Sequence, residues 1–288
     1  MKHANYRPSG GLAVRNPALR TFNYLLMILF VVIVVAPLAI IFITSFKSNQ
    51  EYMYTQLWDL PSSFLNFENY AVYLERGQVL TGLKNVGIMI AVALTASVAM
   101  GSMVSYVLTR FDFPGKKVIL GAYVFAAIIP GTTTAIATFT IIKALHLFNR
   151  LGAGCLLFSA TSVLDIYMFI QFMSKISTDL DQSARIDGAS YLRVYWSIIL
   201  PLLKPAIATV GILRIVYIYN DFFIPITFMP SVKLSTITTG LMVFTQDRVS
   251  QWNVMAAGIM AVLFPTLLIY LFAQRYIIAG VTEGAVKS

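Results

Sequence analysis

Long apolar runs, separated by shorter polar segments, dominate the chain. Six of them approach or exceed the roughly 20 mainly apolar residues that a helix needs to cross a bilayer. They occupy residues 22–46, 85–109, 118–142, 151–174, 205–232 and 252–274. Because the runs are continuous and do not alternate between apolar and polar positions, they predict helices and not the strands of a barrel. The pattern therefore predicts an all-α, polytopic membrane protein with six transmembrane helices.

The composition supports this class. The 288 residues are 58% hydrophobic and only 11% charged, whereas a soluble domain carries roughly 25% charged residues. The net charge of +9 would suggest nucleic acid as the partner of a soluble protein. In a membrane protein, Lys and Arg instead accumulate in cytoplasmic loops. We therefore expect the lipid bilayer, and no nucleic acid, as a partner.

Few residues are suited to redox or metal chemistry. The single cysteine, Cys155, excludes an internal disulfide and a cysteine metal cluster. It lies in an apolar run, where packing is its expected role. The two histidines, His3 and His146, are far apart in sequence, so we predict no metal site.

The distribution of basic residues predicts the orientation. If the N-terminus is cytoplasmic, the inner segments hold 13 Lys and Arg residues, the outer loops hold seven, and Arg214 lies within a span. Since positive residues favour the cytoplasmic side, both termini are predicted to be cytoplasmic. The expected organisation is a cytoplasmic segment 1–21 followed by a six-span domain 22–288. That domain includes a cytoplasmic loop, 174–205, and a C-terminal tail, 275–288.

The loop 174–205 carries helix and turn signals between two apolar runs. Thr178 followed by Asp181 fits a capped helix start, and the helix is expected to end near Ile186. Gly188 can take backbone angles closed to other residues and so can turn the chain sharply. The sequence therefore predicts a short helix that ends in a tight turn.

A second helix is predicted after that turn. Ser190 can cap it, and apolar residues follow at helical spacing. Pro201 and Pro205 are expected to end or kink it at the membrane surface. The product is a helix–turn–helix elbow with exposed apolar residues. Either it lies as an amphipathic linker on the lipid headgroups, or it docks a cytoplasmic protein.

The elbow resembles the coupling (EAA) loop of ABC importer permeases, whose pattern is roughly E-A-A-x-x-D-G-A followed by I-x-L-P. Ala184, Asp187-Gly188-Ala189 and Leu200-Pro201 match it, whereas Gln182 and Ser183 replace the family's Glu and Ala. The resemblance implies that the following residues contact an ATPase: Gln182, Ser183, Ala184, Asp187, Gly188, Ala189, Leu200 and Pro201. Gln182 can contribute only a neutral hydrogen bond, which is weaker than one from a carboxylate.

Three other stretches resemble the MalG-like group of carbohydrate-importer permeases. Y-N-D-F-F at 219–223 resembles an aromatic-Asn-Asp segment, and R-F-D-F-P-G-K at 110–116 resembles the loop after the second span. Arg275-Tyr276 and the tail G-V-T-E-G-A-V-K at 280–287 resemble the G-x-T-x-G-A-V-K ending. The similarity covers nearly the whole chain.

The resemblance implies a type I ABC importer permease in the plasma membrane of a prokaryote. Such a subunit moves a sugar, here expected to be an oligosaccharide, delivered by an extracellular solute-binding protein. It works with a second homologous permease and a cytoplasmic ATPase dimer that binds ATP and Mg. This chain has no G-x-x-x-x-G-K-[ST] phosphate-binding run, so we expect no cofactor and no enzymatic activity of its own. The alternatives are an ABC permease for a non-sugar solute, a secondary transporter or an intramembrane enzyme.

Charged residues within spans need a reason, because each costs about 2.5–3.5 kcal/mol on insertion scales. Arg214 and Asp221 are expected on one face of the fifth span, with Asp165 in the fourth. Either carboxylate can pair with Arg214 and lock the helix packing. Alternatively, these groups line a polar cavity for sugar hydroxyls.

Four neighbouring side chains have the chemistry that recognises sugars, namely aromatic faces, an amide and a carboxylate. These candidate pathway residues are Tyr217, Tyr219, Asn220 and Asp221. Aromatic residues in membrane helices also serve simply as packing. For Asn220 and Asp221, the alternative roles are an interhelical hydrogen bond or gating of the cavity.

Two further patterns predict how spans pack and bend. Ala93, Ser97, Gly101 and Ser105 recur every four residues, which allows close helix contact. Pro130-Gly131 breaks the third span, where the following threonine hydroxyls can satisfy the freed backbone or the bend can line the pathway. The long outer loops 47–84 and 231–251 are either connections or, as the resemblance implies, docking sites for the binding protein.

Overall fold

The computed structural model describes residues 17–245 and 251–285, with side chains up to residue 274. Across these residues every regular element is a helix, which confirms the all-α prediction. Residues 1–16, 246–250 and 286–288 lie outside the described part, and so do the side chains of Arg275, Tyr276 and the tail motif. The cytoplasmic location of both termini therefore stays a prediction.

The helices connect in a simple sequential order. They are α1 (Pro17–Ser45), α2 (Asn49–Tyr54), α3 (Glu68–Arg76), α4 (Val79–Arg110), α5 (Lys116–Ile128), α6 (Ala135–Ala144), α7 (Leu151–Ser159), α8 (Val163–Met173), α9 (Asp179–Ile186), α10 (Tyr191–Leu202), α11 (Lys204–Asn220), α12 (Phe223–Phe228), α13 (Ile237–Gly240) and α14 (Trp252–Ala285). A π-helical turn, Tyr195–Ile199, lies inside α10. Short 3₁₀ turns occupy Val232–Leu234 and Leu241–Thr245.

The predicted spans are realised in three ways. Within residues 17–245 and 251–285, α1, α4 and α14 are each long and apolar enough to cross a membrane. The pairs α7/α8 and α10/α11 qualify if each pair is one span, with bends of 42° and 72°. The third predicted span, 118–142, is divided into the shorter helices α5 and α6. The count of six spans thus stays a prediction.

The break in the third span lies at Pro130-Gly131, as expected. The Thr133 amide donates to the Pro130 carbonyl oxygen at 3.0 Å, and Thr134 Oγ1 donates to the Gly131 carbonyl oxygen at 3.0 Å. A threonine hydroxyl therefore satisfies one of the carbonyls that the broken helix leaves free.

The prediction of one continuous fifth helix over 205–232 is wrong. Helix α11 ends at Asn220, and Asp221 is extended, with φ −67° and ψ 130°. The Asp221 carboxylate accepts a hydrogen bond from the Ile224 amide at 2.8 Å, which supports the first turn of α12. Pro225 has no amide hydrogen to continue the helix by bonding the Asp221 carbonyl oxygen. Arg214 and Asp221 consequently do not share a helix face.

Helix α4 packs against α7, α8 and α11. Its small residues Ala93, Ser97, Gly101 and Ser105 are all buried, which confirms the predicted packing stripe. A Cβ atom on Gly101 would lie only 2.9 Å from the Thr161 methyl group. Helix α4 therefore approaches the break between α7 and α8 as closely as a small residue permits.

Helix α1 packs against α14 but leaves most of its surface uncovered. The large apolar side chains between Phe22 and Val35 are exposed. An apolar surface of this size is typical of contact with lipid or another protein. It fits a membrane-embedded chain.

Candidate functional site

The loop between α8 and α11 forms the predicted elbow, in which Gly188 makes the turn. Gly188 has φ +83°, in the left-handed region. Its amide donates to the Arg185 carbonyl oxygen at 3.1 Å, and the Ala189 amide donates to that of Ala184 at 2.9 Å. These two bonds make a Schellman motif, the usual helix ending with glycine in this position. The backbone of the elbow is thereby fixed.

The caps of the two elbow helices match the prediction in one case. Ser190 Oγ accepts a hydrogen bond from the Arg193 amide at 3.3 Å, so Ser190 caps α10 as expected. The predicted cap by Thr178 is wrong, because this residue has helical backbone angles and makes no side-chain cap bond. Instead, Ser177 Oγ accepts from the Asp179 amide at 3.2 Å. The side-chain hydrogen bond at the start of α9 therefore comes from Ser177, one residue before the predicted Thr178.

The outer surface of the elbow is apolar and accessible. The exposed fractions are 86% for Ile186, 68% for Leu192 and 52% for Trp196. Of the predicted coupling residues, the exposed ones are Gln182, Ser183, Asp187, Gly188 and Pro201, and the half-buried ones are Ala184, Ala189 and Leu200. The structure thus brings most of the predicted set to one accessible helix–turn–helix segment.

The inner side of the elbow is anchored in a buried cluster. Val194, Tyr195 and Ile199 from α10 pack in it together with Leu203, which lies at the bend into α11. Pro205 occupies the first turn of α11, where a missing amide hydrogen does no harm. The elbow is therefore a rigid continuation of the helix that enters the membrane.

The C-terminal end of α4 also contacts the elbow, and this contact was not predicted from the sequence. Arg110 Nη2 donates to the Ile176 carbonyl oxygen at 2.9 Å, and Arg110 Nε lies 3.1 Å from Asp181 Oδ2. The Tyr106 hydroxyl donates to Asp181 Oδ1 at 3.2 Å. A cavity of about 450 Å³ lies beside these residues and is also lined by Gln182. The only sequence signal was the R-F-D-F-P-G-K stretch that begins at Arg110.

The intramembrane charges form a buried ion pair. Arg214 Nη2 lies 2.6 Å from Asp165 Oδ2, and the two side chains are 8% and 5% exposed. Arg214 Nε donates to the same oxygen at 2.7 Å. The sequence left Asp165 and Asp221 as alternative partners of Arg214. In the structure the partner is Asp165.

This ion pair lies where the fourth span bends. The Arg214 guanidinium also donates to the carbonyl oxygens of Phe158 and Ala160, at the end of α7. Asp165 exchanges two hydrogen bonds with Ser162, each 3.1 Å long, in a capping box that starts α8. Arg214 thus joins α11 to both halves of the bent span.

The candidate pathway residues separate into different environments. Tyr217 is 54% exposed, and its ring meets the edge of Phe158 at 6.1 Å. Tyr219 is only 7% exposed and belongs to a buried hydrophobic cluster that also contains Met89 and Phe228. Asn220 is exposed and Asp221 is half-buried. Tyr217 and Asn220, three residues apart on α11, are therefore accessible, whereas Tyr219 has the environment of a packing residue.

Asn220 makes a contact across to the last helix. Its Oδ1 accepts a hydrogen bond from Thr266 Oγ1 at 3.3 Å, and its Nδ2 donates to the Val216 carbonyl oxygen at 2.9 Å. The interhelical hydrogen bond that was one alternative for the Asn-Asp pair is present at Asn220.

The predicted first outer loop, 47–84, called the outer segment below, is folded and is held by buried polar groups. Lys47 is 1% exposed, and its Nζ donates to Thr55 Oγ1 at 2.9 Å and to the Gln56 carbonyl oxygen at 2.6 Å. Asn253, from α14, donates to Asn69 Oδ1 at 2.8 Å. This segment is thus a structured surface tied to the last helix.

A carboxylate organises the same outer segment. Glu51 accepts from the amides of Ser48 at 2.7 Å and Ser62 at 2.8 Å. Hydrogen bonds from Ser62 and then Ser48 lower the pKa of Glu51 to about 2. The ionised side chain therefore links two turns of the segment.

Comparison with known proteins places the chain in a family. The family described as binding-protein-dependent transport system inner membrane component matches residues 11–282. The chain belongs to this family. This confirms the resemblance inferred from the motifs and makes the chain a multi-pass membrane protein.

Relatives within this inner membrane component family carry sugar-related names. The probable starch degradation products transport system permease protein AmyC of Thermoanaerobacterium thermosulfurigenes is 29% identical over 88% of this chain and 92% of its own length. The melibiose/raffinose/stachyose import permease protein MelC of Bacillus subtilis is 28% identical over 87% and 91% of the two chains.

A solved structure confirms the fold of this family member. A chain from the crystal structure of a bacterial ABC transporter involved in the import of the acidic polysaccharide alginate matches with a TM-score of 0.76 and 21% identity. The match covers 94% of this chain and 99% of that one. The predicted fold class, that of an ABC importer permease, is therefore confirmed.

Proposed function

We propose that this chain is the transmembrane permease subunit of an ABC importer that moves an oligosaccharide. An extracellular solute-binding protein delivers the sugar, and ATP hydrolysis in partner subunits drives the import. The observation that carries the proposal is the family match over residues 11–282. The chain itself is a conduit and not an enzyme.

The elbow provides the contact with the ATPase. Ile186 and Leu192 extend from a backbone that the Gly188 turn fixes, so they form an apolar projection that a cleft on a cytoplasmic subunit can enclose. Closure of two ATPase subunits around ATP and Mg then displaces the elbow as a rigid body. Gln182 replaces the family's glutamate and adds a neutral hydrogen bond at the rim. A second homologous permease completes the pathway.

Oligosaccharides are the substrate class best supported by the relatives. Besides starch degradation products and the raffinose series, the relatives' names include diacetylchitobiose and arabinooligosaccharides. In this chain, Tyr217 offers an accessible aromatic face to a sugar ring, and Asn220 offers an amide to hydroxyl groups. Asp221 lies at the adjacent helix break. An ABC permease for a non-sugar solute is the second candidate.

The outer segment provides a surface for the binding protein. Tyr54, Trp58 and Leu65 are 87%, 68% and 81% exposed on a segment that Lys47 and Glu51 hold in shape. Exposed aromatic residues on a fixed scaffold are typical anchors of protein interfaces. Residues 231–245 of the later loop adjoin this segment, since the Tyr73 hydroxyl donates to the Ile237 carbonyl oxygen at 3.1 Å, and they add to the same surface.

Reconstitution tests the proposal directly. The chain is assembled with its partner permease, ATPase subunits and binding protein in liposomes, and labelled raffinose, stachyose and arabinooligosaccharides are offered with and without internal ATP. We expect ATP-dependent accumulation of at least one sugar. Accumulation driven by an ion gradient without ATP would indicate a secondary transporter, and failure of all sugars with transport of another solute would favour the second candidate.

A pair of variants tests the pathway residues. Asn220→Leu removes an accessible amide and should weaken sugar transport with little effect on assembly. Tyr219→Phe is the matched control, since its hydroxyl makes only a 3.4 Å contact with the buried Val262 carbonyl oxygen. Unchanged sugar affinity and transport rate in Asn220→Leu would remove this residue from the pathway.

A further inference from the structure

The elbow is joined in sequence to α8 and α11, yet side chains of α4 hold it as well. Arg110 is the last residue of α4. Its guanidinium donates to the Ile176 carbonyl oxygen at 2.9 Å, just before α9 begins. It also lies 3.1 Å from Asp181 on α9, with side-chain exposures of only 7% and 14% for Arg110 and Asp181. The contact is therefore a shielded ion pair and not a solvated surface pair.

Both carboxylate oxygens of Asp181 are engaged by α4. Arg110 faces Oδ2, and the Tyr106 hydroxyl, one helical turn earlier, donates to Oδ1 at 3.2 Å. The Tyr106 ring packs at a tilt against Tyr195 of α10, with centroids 5.5 Å apart. A hydrogen bond from Tyr106 and an ion pair with Arg110, on successive turns of α4, thus hold the Asp181 side chain at two points. Helix α9 therefore cannot rotate about this contact without breaking at least one of them.

The neighbouring contacts repeat the connection on the other elbow helix. Ser102 Oγ and the Tyr195 hydroxyl are 2.7 Å apart. The rings of Phe111 and Tyr191 meet edge to face at 5.0 Å. The last turns of α4 thus hold α9 through Asp181 and hold α10 through aromatic residues.

We infer that Arg110, Tyr106 and Asp181 form a latch that makes α4 move together with the elbow when the ATPase subunits close. The inference rests on the proposed function. Because α4 also packs against α7, motion passed to α4 reaches a helix that the elbow does not join directly in sequence. Arg110 is a positioning residue in this scheme: it touches neither ATP nor the sugar, and it carries displacement from the elbow into the membrane.

Uncoupling is the expected consequence of breaking the latch. In the complete reconstituted importer, Arg110→Met should still bind the ATPase subunits, because Ile186 and Leu192 project from the elbow independently of it. ATP hydrolysis should persist, whereas sugar moved per ATP should fall at least fivefold, at the lower end of couplings on the order of 5–150-fold. The sugar used is the labelled oligosaccharide that the unmodified importer accumulates.

A mutational cycle separates the latch from a merely structural role. Asp181→Asn should also lower the ratio of sugar moved to ATP hydrolysed. The double variant should be no worse than the more severe single variant, because both single changes break the same ion pair. Asp112→Asn is the matched control, since it removes the exposed Lys116–Asp112 pair in the adjacent loop. An unchanged ratio in Arg110→Met, losses that multiply in the double variant, or parallel loss of ATPase binding would overturn the latch.

A distance measurement tests the same idea without disturbing the latch. Spin labels at Val107 on α4 and Leu180 on α9, which is exposed and outside the predicted ATPase-contacting set, report the separation of the two helices by pulsed EPR in a Cys155→Ser background. We expect the same distance with and without ATP in the assembled importer, and a change of several ångströms would overturn the latch. An unmodified chain that retains no ATPase would instead refute the proposed function itself, and the latch with it.

Discussion

The buried pair of Arg214 and Asp165 allows the sharpest test of how the membrane region is held together. Arg214→Met keeps the length and apolar stem of the side chain but removes the guanidinium. Asp165 then loses its ionic partner at 2.6 Å. The carbonyl oxygens of Phe158 and Ala160 also lose their donor. The bend between α7 and α8 then keeps only the capping box and the hydrogen bond from Thr161 Oγ1 to the Ser97 carbonyl oxygen among its described side-chain contacts.

The expected magnitude follows from burial. Both side chains are less than a tenth exposed, and removing one member of a buried ion pair costs about 3–5 kcal/mol. Asp165→Asn should cost a similar amount, since Arg214 cannot lose its charge. In the double variant neither charge is left unpaired. The losses should therefore fall short of additivity by about 1–3 kcal/mol, as for residues in contact.

The free energy of unfolding is measured by reversible denaturation of the purified chain in mixed micelles, followed by helical circular dichroism. Lys116→Gln is the control, because it breaks an exposed pair with Asp112 at 2.9 Å and should leave the stability unchanged within error. A loss below about 1 kcal/mol for Arg214→Met, far under the expected range, would refute the reasoning. So would strictly additive losses in the cycle.

Three further predictions test the turn, the packing and the outer segment. Gly188→Pro should abolish ATP-driven uptake without preventing insertion, because φ +83° is closed to proline. Gly188→Asn is the control and should keep the turn. Equal uptake by the two variants would contradict the role of the turn. Gly101→Ala should lower the free energy of unfolding by about 1–3 kcal/mol, since its Cβ would lie 2.9 Å from a methyl group. Gly87→Ala in the same helix is the control, because its Cβ would enter open space and should not lower the stability. Equal stabilities of the two variants would contradict the close packing. Glu51 has a pKa of about 2 instead of 4.5, so its stabilisation of the outer segment should be complete above pH 4.5 and be lost as pH falls towards 2. Trp58 fluorescence should follow this loss, and Glu51→Gln should remove that part of the pH dependence; an identical pH profile in the variant would refute the role of Glu51.

Hydrophobic patterning predicted the long, uninterrupted helices and their packing but not where spans end. The stripe from Ala93 to Ser105 is visible in sequence because small residues repeat with the helical period. The end of α11 at Asn220 was missed because the apolar run continues beyond it. Its cause is local: the Asp221 carboxylate bonds a backbone amide, and Pro225 lacks one. Hydropathy registers neither effect.

The candidate site was predicted in part for similar reasons. The Gly188 turn and the Ser190 cap depend on neighbouring residues, so their residue types predict them. The choice of Asp165 over Asp221 as partner of Arg214 depends on how three helices pack. The contact of Arg110 with Asp181 joins helices distant in sequence and leaves no periodic signal. Tertiary contacts of this kind become visible only in the folded chain.

In the proposed function, the elbow receives force from a cytoplasmic ATPase. A photo-crosslinking residue at Ile186, the most exposed apolar position of the elbow at 86%, tests this in intact membranes. Leu80 is 83% exposed in the first turn of α4, at the opposite end of that helix from the elbow, and is the matched control. We expect Ile186 to capture an ATPase subunit and Leu80 to capture none. Capture by neither position, or labelling of Ile186 by a membrane-impermeant reagent added outside the cell, would contradict it.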